Sequence, residues 1–314
     1  MPSVKLKIFS GTSHPQLASS IAKSLRIKLS PMEISRFACG EIYAKPLETV
    51  RRSEVFIVQT CTNNVNEDLM ELFVMLDAFK RSSAEKIHVI IPHYGYGRQD
   101  RVASAREPIT AKLIANLIAK AGADNLITIS LHSDQEQGFF DFPVDHVGTH
   151  HLFADYFKKK NLKNLVVVAT DAGGVKDVRR FANLLGCPIA LIHKVRPKHN
   201  VAEASHVVGD VEGKVCLIFD DMIDTAGSVC AAKKALLGAG AEKDMYLAAT
   251  HAVFSDPAVE RLKEANFKEV VVTDTIPLPS EKQFKGLKVL STASLLAHIV
   301  KNVFEGRSVS GVQR

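Results

Sequence analysis

Val215 to Phe219, reading VCLIF, is an apolar run with no polar alternation, the pattern of a central parallel strand covered on both faces. Such a strand restricts the chain to an α/β architecture, because parallel neighbours are joined by helical crossovers. Similar runs occur at Ile87 to Ile91, Leu126 to Ser130 and Ile189 to Ile192. Between them lie amphipathic stretches at Asn66 to Lys80, Pro108 to Ala121, Lys176 to Leu185 and Gly227 to Leu237. The spacing predicts helices there, flanking mainly parallel sheets in both halves. With 314 residues the chain has room for two domains of ordinary size. The boundary is expected near His146 to His151, and Thr292 to Glu305 reads as a last helix that packs back on the first half.

A buried strand delivers the residues after it to the carboxyl edge of the sheet, where open α/β sheets bind ligands. Here Asp220 and Asp221 arrive as acceptors suited to vicinal hydroxyls or to hydrated magnesium. Asp224-Thr225-Ala226-Gly227-Ser228 then turns into the next helix. Small residues let backbone N–H groups close on a phosphate, and the helix N-terminus favours the anion. An acidic turn with a Ser/Thr cap would explain the carboxylates alone. The strand before them and the small-residue loop after them favour a phosphorylated sugar.

Three further segments carry chemistry. Tyr94-Gly95-Tyr96-Gly97-Arg98-Gln99-Asp100-Arg101 follows one strand, and Arg106 to Lys112 is expected to open the next helix. Two arginines on a glycine-loosened loop suit a polyphosphate, although charges alone would also fit a solvated basic loop. Leu131-His132-Ser133-Asp134 follows the strand Leu126 to Ser130; a single His is more often structural than catalytic. His193-Lys194-Val195-Arg196 places cations at alternate positions of a strand end, on one side if the chain stays extended.

The segment Val215 to Ser228 resembles the phosphoribosyl-diphosphate binding motif of type I phosphoribosyltransferases. Taken with the other segments, the chain resembles the ribose-phosphate diphosphokinase family from Lys7-Ile8-Phe9-Ser10 to Ser308-Val309-Ser310. The resemblance implies two tandem type I phosphoribosyltransferase-like domains, 1–148 on the ATP side and 149–314 on the ribose 5-phosphate side. It implies transfer of the diphosphoryl group of MgATP to the 1-hydroxyl of ribose 5-phosphate, giving phosphoribosyl diphosphate and AMP. By the same resemblance Lys194 and Arg196 are the catalytic cations, Arg196 also touching the sugar phosphate. Phe37, Cys39, Gly40, Glu41, Arg98, Gln99, Asp100, Arg101 and His132 fall at ATP-binding positions. Asp220, Asp221 and Asp224 to Ser228 fall at ribose 5-phosphate positions. His132 and Asp171 are metal-associated, for Mg²⁺, with His132 equally able to touch a phosphate. Thr49, Arg51, Ser83, Arg106, Ser308 and Ser310 match an anion site for inorganic phosphate and ADP as effectors, in a homo-oligomer expected to be a hexamer.

Three positions depart from the family pattern. Cys39 stands where the family carries Asp or Asn, and a thiol accepts hydrogen bonds poorly. Relaxed discrimination between ATP and GTP is therefore expected. Asp134 replaces Ser, and Gly311 replaces an aromatic, beside the anion site. Two other functions compete: a phosphoribosyltransferase, which would leave Arg98 and His132 without a role, and a regulatory relative without chemistry, which would not need Lys194, Arg196, Asp220 and Asp221 intact.

The formal charge of +6 suits anionic small substrates at least as well as nucleic acid, and no arginine-rich tract or zinc-finger spacing supports a nucleic-acid partner. Five scattered cysteines without ligand spacing suggest free thiols in a reducing compartment. With no leader pattern or membrane-length apolar run, a cytoplasmic location and no membrane partner are expected.

Overall fold

The structure is a computed structural model that describes residues 4–195 and 204–309. The chain forms two compact units, one of Met1–Gly148, Thr275–Pro277 and Ser291–Arg314, the other of Thr149–Asp274 and Leu278–Leu290.

The first unit begins β1 (Lys5–Ser10), α1 (Pro15–Ser24), β2 (Met32–Arg36), β3 (Ile42–Pro46), β4 (Ser53–Val58) and α2 (Val65–Arg81). It continues through β5 (Lys86–Ile91), α3 (Thr110–Ala121), β6 (Asn125–Ile129) and β7 (Val144–Val147). Among the described residues β1, β4, β5, β6 and β7 pair in that order, all parallel. β2 and β3 leave the sheet as an antiparallel hairpin. Successive strand residues point to opposite faces, so the two faces carry different cores. Phe9, Val55, Ile57 and Val89 pack with α2 and α3. Ile8, Phe56, Val58 and Ile90 pack with α1 and the closing helix Ala293–Phe304. In α3, Ala111, Ile114, Ala115 and Ile118 are buried at helical spacing, and burying each isoleucine contributes roughly 1.5–3 kcal/mol.

α3 starts later than the sequence pattern indicates. Arg106 has φ 73°, outside the helical region, and the Glu107 carboxylate accepts from Ala103 N at 3.0 Å and Ser104 N at 2.8 Å. These local bonds make Arg106 to Ile109 a turn before the helix rather than its first turn.

The second unit begins α4 (His150–Lys158), β8 (Leu165–Ala169), α5 (Val175–Leu185), β9 (Ile189–Val195), β10 (Ala204–Val208) and β11 (Val215–Ile223). It continues through α6 (Gly227–Gly238), β12 (Tyr246–Ala252), α7 (Ala258–Ala265), β13 (Glu269–Thr273) and β14 (Leu287–Leu290). The described strands pair in the order β10-β9-β8-β11-β12-β13-β14, antiparallel at β10–β9 and otherwise parallel. Val166, Val168, Ile218 and Leu247 pack against α6 and α7. Val167, Ala169, Leu217 and Phe219 pack against α4 and α5. From β8 the chain moves one way to β9 and β10, then crosses back to lay β11 on the other side of β8. The crevice at the carboxyl ends of β8 and β11 is therefore a topological switch point.

β11 is longer than the run Val215 to Phe219. Its pairing with β8 ends at Phe219 opposite Ala169, but its pairing with β12 continues through Asp220 opposite Ala249 to Ile223 opposite Ala252. The acidic pair is thus held inside a strand with one neighbour missing, rather than in a loop. No described helix is long and apolar enough to cross a membrane.

Candidate active site

In the second unit, β11 carries Asp220 and Asp221 one step past the end of β8. Thr170, which follows β8, donates its hydroxyl to Asp220 Oδ2 at 2.9 Å, and the Asp221 N–H donates to Asp220 Oδ1 at 2.9 Å. Burial and the neighbouring Asp221 charge push the Asp220 carboxyl well above the usual carboxylate range. Asp221 is half-buried at the same edge. Two adjacent acceptors, one of them pinned by two donors, form a rigid site for a hydroxyl-bearing ligand.

The loop from Asp224 to Ser228 leads into α6. Ala226 caps the helix at φ 61°, in the left-handed region where a Cβ is strained, and its side chain is buried. Thr225, Gly227 and Ser228 are exposed around it, and Asp224 is half-buried. On the other side of the crevice, Asp171 Oδ1 accepts from Gly173 N at 2.8 Å and Gly174 N at 3.2 Å. Those amides turn the chain into α5 and fix an exposed carboxylate at the end of β8. Lys194 lies within β9; its side chain, Arg196, Ser310 and Gly311 lie outside the described residues.

In the first unit, two sequence segments meet at the ends of β5 and β6. A Cβ on Gly97 would come within 3.2 Å of Glu136 Oε2 and 3.6 Å of His132 Cβ, so glycine lets the Arg98 loop lie against the His132 segment. Glu136 is fully buried and closes a capping box, its Oε1 accepting from Ser133 N at 2.8 Å. Gly95 is packed more tightly, since a Cβ there would meet Val65 Cγ2 at 2.6 Å and Cys61 Sγ at 2.9 Å. The buried Tyr94 hydroxyl donates to Ala111 O at 2.8 Å, and Thr110 donates to Gln99 Oε1 at 2.5 Å. These bonds tie the loop base to α3, while Arg98 and every residue from Arg101 to Ile109 are exposed; Asp100 is half-buried. His132 is exposed beside them.

The hairpin of β2 and β3 presents Phe37, Cys39, Gly40 and Glu41 at its tip. Gly40 N donates to Phe37 O at 2.8 Å, Phe37 N donates to Glu41 O at 2.9 Å, and Gly40 has φ 96°, which glycine adopts without strain. Phe37 is 56% exposed and meets Tyr43 edge to face at 6.1 Å, leaving a ring available for stacking. Among the residues expected to hold an anion, an isolated bridge from Arg51 to Ala84 brings Thr49 and Arg51 beside Ser83, whose φ is 61°. Arg106 stands before α3 and Ser308 after the closing helix, α8 (Ala293–Phe304).

Sequence reading missed several groups at these edges. Thr170 adjoins Asp171 in sequence but gives no sign that it reaches Asp220. Arg261, on α7, donates from Nη1 to Thr225 O at 3.0 Å. Lys176, Arg179 and Arg180 line a shallow cavity of about 460 Å³ with Ala172 and Gly173 at the start of α5. Each depends on a partner that only the fold supplies.

Residues 6–122 match the N-terminal domain of ribose phosphate pyrophosphokinase, and residues 197–314 match the phosphoribosyl synthetase-associated domain. The ribose-phosphate pyrophosphokinase of Caldanaerobacter subterraneus subsp. tengcongensis is 51% identical over 97% of this chain and 96% of its own. That of Fusobacterium nucleatum subsp. nucleatum is 49% identical over 97% of each chain. The crystal structure of phosphoribosylpyrophosphate synthetase from Mycobacterium smegmatis matches with a TM-score of 0.91 and 43% identity, covering 96% of this chain and 99% of that one. Likeness of this extent spans both α/β units and both sheet edges, so the chain is a transferase with two phosphoribosyltransferase-like domains and belongs to the ribose-phosphate pyrophosphokinase family.

Proposed function

We propose that the chain transfers the diphosphoryl group of MgATP to the 1-hydroxyl of ribose 5-phosphate, giving phosphoribosyl diphosphate and AMP for nucleotide biosynthesis. The observation that carries this reading is the acidic pair Asp220–Asp221 beside the small-residue loop Asp224 to Ser228 at a reversal of strand order. Asp220 and Asp221 accept from the sugar hydroxyls, and the loop's amides with Thr225 and Ser228 hold the 5-phosphate. On the first unit, Phe37 stacks on the base, with Cys39, Gly40 and Glu41 beside it. Arg98, Gln99, Asp100, Arg101 and His132 hold the rest of the nucleotide.

The 1-hydroxyl oxygen bonds to the β-phosphorus, the bond from that phosphorus to the bridging oxygen of AMP breaks, and the hydroxyl proton passes to solvent. Lys194 and Arg196 stabilise charge on the moving group, each donor being worth about 2.7–4 kcal/mol by analogy with oxyanion donors. Magnesium neutralises phosphate charge when bound. The residues fit it: Asp171 offers an exposed carboxylate already oriented by two amides. Among the described residues no three His, Cys, Asp or Glu groups form a cation cage, which suits an ion taking most of its ligands from phosphates and water. His132 would help hold the metal or touch a phosphate. Inorganic phosphate and ADP act as effectors at Thr49, Arg51, Ser83, Arg106, Ser308 and Ser310, in a cytoplasmic homohexamer.

Incubation with ATP, Mg²⁺ and ribose 5-phosphate, with and without inorganic phosphate, tests the reaction. Sugar-dependent AMP together with phosphoribosyl diphosphate is expected. ADP instead would mean ordinary kinase chemistry, and no product under either condition would favour a regulatory relative.

A further inference from the structure

Arg261 projects from the first turn of α7 and is exposed, yet its Nη1 donates to the Thr225 carbonyl at 3.0 Å. The same nitrogen would lie 3.6 Å from a Cβ on Gly227, so the guanidinium lies against the loop on both sides of Ala226. Its backbone is fixed as well: Arg261 N donates to Pro257 O at 3.2 Å, and Cys230 Sγ on α6 donates to Arg261 O at 3.6 Å. α7 therefore presents the guanidinium to the loop from a defined base.

In a planar trans peptide the C=O and N–H point in opposite directions. Holding the Thr225 carbonyl toward Arg261 turns the Ala226 N–H to the other side of the loop, and a charged donor on that carbonyl polarises the amide and strengthens the N–H as a donor. This orientation is also the strained one, because it leaves Ala226 at φ 61°. Turning the peptide over would rotate that φ by about 180°, to about −120°, with ψ kept at 6°, which places Ala226 in the bridge region and removes the left-handed penalty. It would also aim a carbonyl oxygen where the N–H had been, repelling an anion. Stereochemistry therefore allows this peptide two orientations, and Arg261 is bonded to the left-handed one that the structure adopts.

We infer that Arg261 is a positioning residue for the sugar substrate's phosphate, clamping the Thr225–Ala226 peptide with its N–H turned to the anion side. The inference rests on the proposed reading of Asp224 to Ser228 as the phosphate loop. Its specific signature is that Ala226→Gly, which removes the left-handed penalty, compensates for loss of the clamp.

The test compares wild type, Arg261→Met, Arg261→Lys and each Arg261 variant combined with Ala226→Gly, by steady-state kinetics, and by calorimetric titration with ribose 5-phosphate and with ribose. Arg261→Met is expected to raise the ribose 5-phosphate KM by about tenfold, with kcat and the ATP KM within about twofold. Adding Ala226→Gly should recover roughly threefold of that loss. Unchanged sugar-phosphate KM in Arg261→Met, or no recovery with glycine, overturns the clamp. If Arg261→Met does not fold, Arg261→Lys, which keeps the charge without the planar fork, carries the same test with an expected loss of about threefold. A wild type that binds ribose as tightly as ribose 5-phosphate, or is indifferent to Ser228→Ala, overturns the phosphate-loop reading and the clamp with it. Normal behaviour there combined with an indifferent Arg261→Met sinks the clamp alone.

Discussion

The two units share a rhythm of parallel strands and covering helices but differ in how their sheets present a ligand. In the second unit the strand order reverses between β8 and β11, and both acidic groups, Asp171 and the Asp220–Asp221 pair, stand at that reversal. In the first unit the described strands run β1, β4, β5, β6, β7 without reversal. No crevice is opened there by topology, and the groups proposed to hold the nucleotide come from a long exposed loop after β5 and from a hairpin that leaves the sheet. One edge is built from backbone amides and short side chains close to the sheet, the other from long side chains on protruding segments. The difference teaches that similar layering does not make equivalent edges: where the order reverses, the sheet itself opens a crevice, and where it does not, only loops and the hairpin project from it.

If the second edge holds the reacting centre, its cations should matter to turnover more than anything on the first. Lys194→Ala is expected to lower kcat by about 10²–10³ while changing both KM values only a few-fold, since its contact strengthens toward the transition state. Steady-state rates at saturating substrates decide this. A variant that loses affinity but keeps its turnover would place Lys194 among the binding groups and weaken the contrast between the edges.

On the first edge the exposed loop depends on a tightly packed base. Gly95→Ala would drive a methyl against Val65 and Cys61, where the gaps are 2.6 Å and 2.9 Å, so the loop base must shift. Overpacking of this kind costs about 1–3 kcal/mol. The ATP KM should rise by about tenfold with the ribose 5-phosphate KM nearly unchanged. Equal changes in both constants would mean that the two edges are not separable.

These edges were unequally legible. The run VCLIF announced a doubly covered strand because no polar residue interrupts it, and Asp224 to Ser228 announced the turn into α6 because small residues precede an amphipathic stretch. The setting of Asp220 was not legible: it depends on β12 continuing past the point where β8 stops and on the hydroxyl of Thr170, which follows β8. Arg261 was illegible for the same reason, being 36 residues from its partner on the polar side of a short helix. The expected helix ends lie within a turn of the observed ones, the largest shift being at the start of α3, where Arg106 in the left-handed region and Glu107 bonded to two amides delay the helix. Periodicity reports which face is buried, and strand order and contacts between distant segments leave no periodic trace.

The half-buried Asp220 carboxyl gives a sharper mark of the second edge. Because the folded state raises the Asp220 pKa above its ordinary 3.8, the folded chain holds that proton more tightly than the unfolded one. Its favourable contribution is complete below 3.8 and is lost as pH rises through the raised folded value. Asp220→Asn removes the charge; its oxygen can accept from the Asp221 N–H while its NH2 donates to the Thr170 hydroxyl. Near pH 8 its Tm is expected to exceed wild type by about 2–4 °C, the gain shrinking as pH falls toward about 4. Thermal melts across that range check it, and a gain that does not vary with pH would mean the carboxyl is not desolvated.

The smallest expected effect concerns the hairpin tip, which is proposed to meet the nucleotide base. Cys39 is exposed one residue before Gly40, in a turn closed by the Gly40 N–H to the Phe37 carbonyl. Asp is favoured in such turns, and an exposed substitution there should change stability by no more than about 0.5 kcal/mol. A thiol accepts poorly, whereas a carboxylate accepts well from an exocyclic amino group such as adenine carries at its six position; guanine presents an acceptor at that place. One added hydrogen bond of about 1.4 kcal/mol would raise the ratio of kcat/KM for ATP over GTP by about tenfold. Parallel rates with both nucleotides, for wild type and Cys39→Asp, measure it. An unchanged ratio would mean that the tip does not select the base, and discrimination would then have to come from the loop after β5, which would leave Phe37 as a stacking surface without specificity.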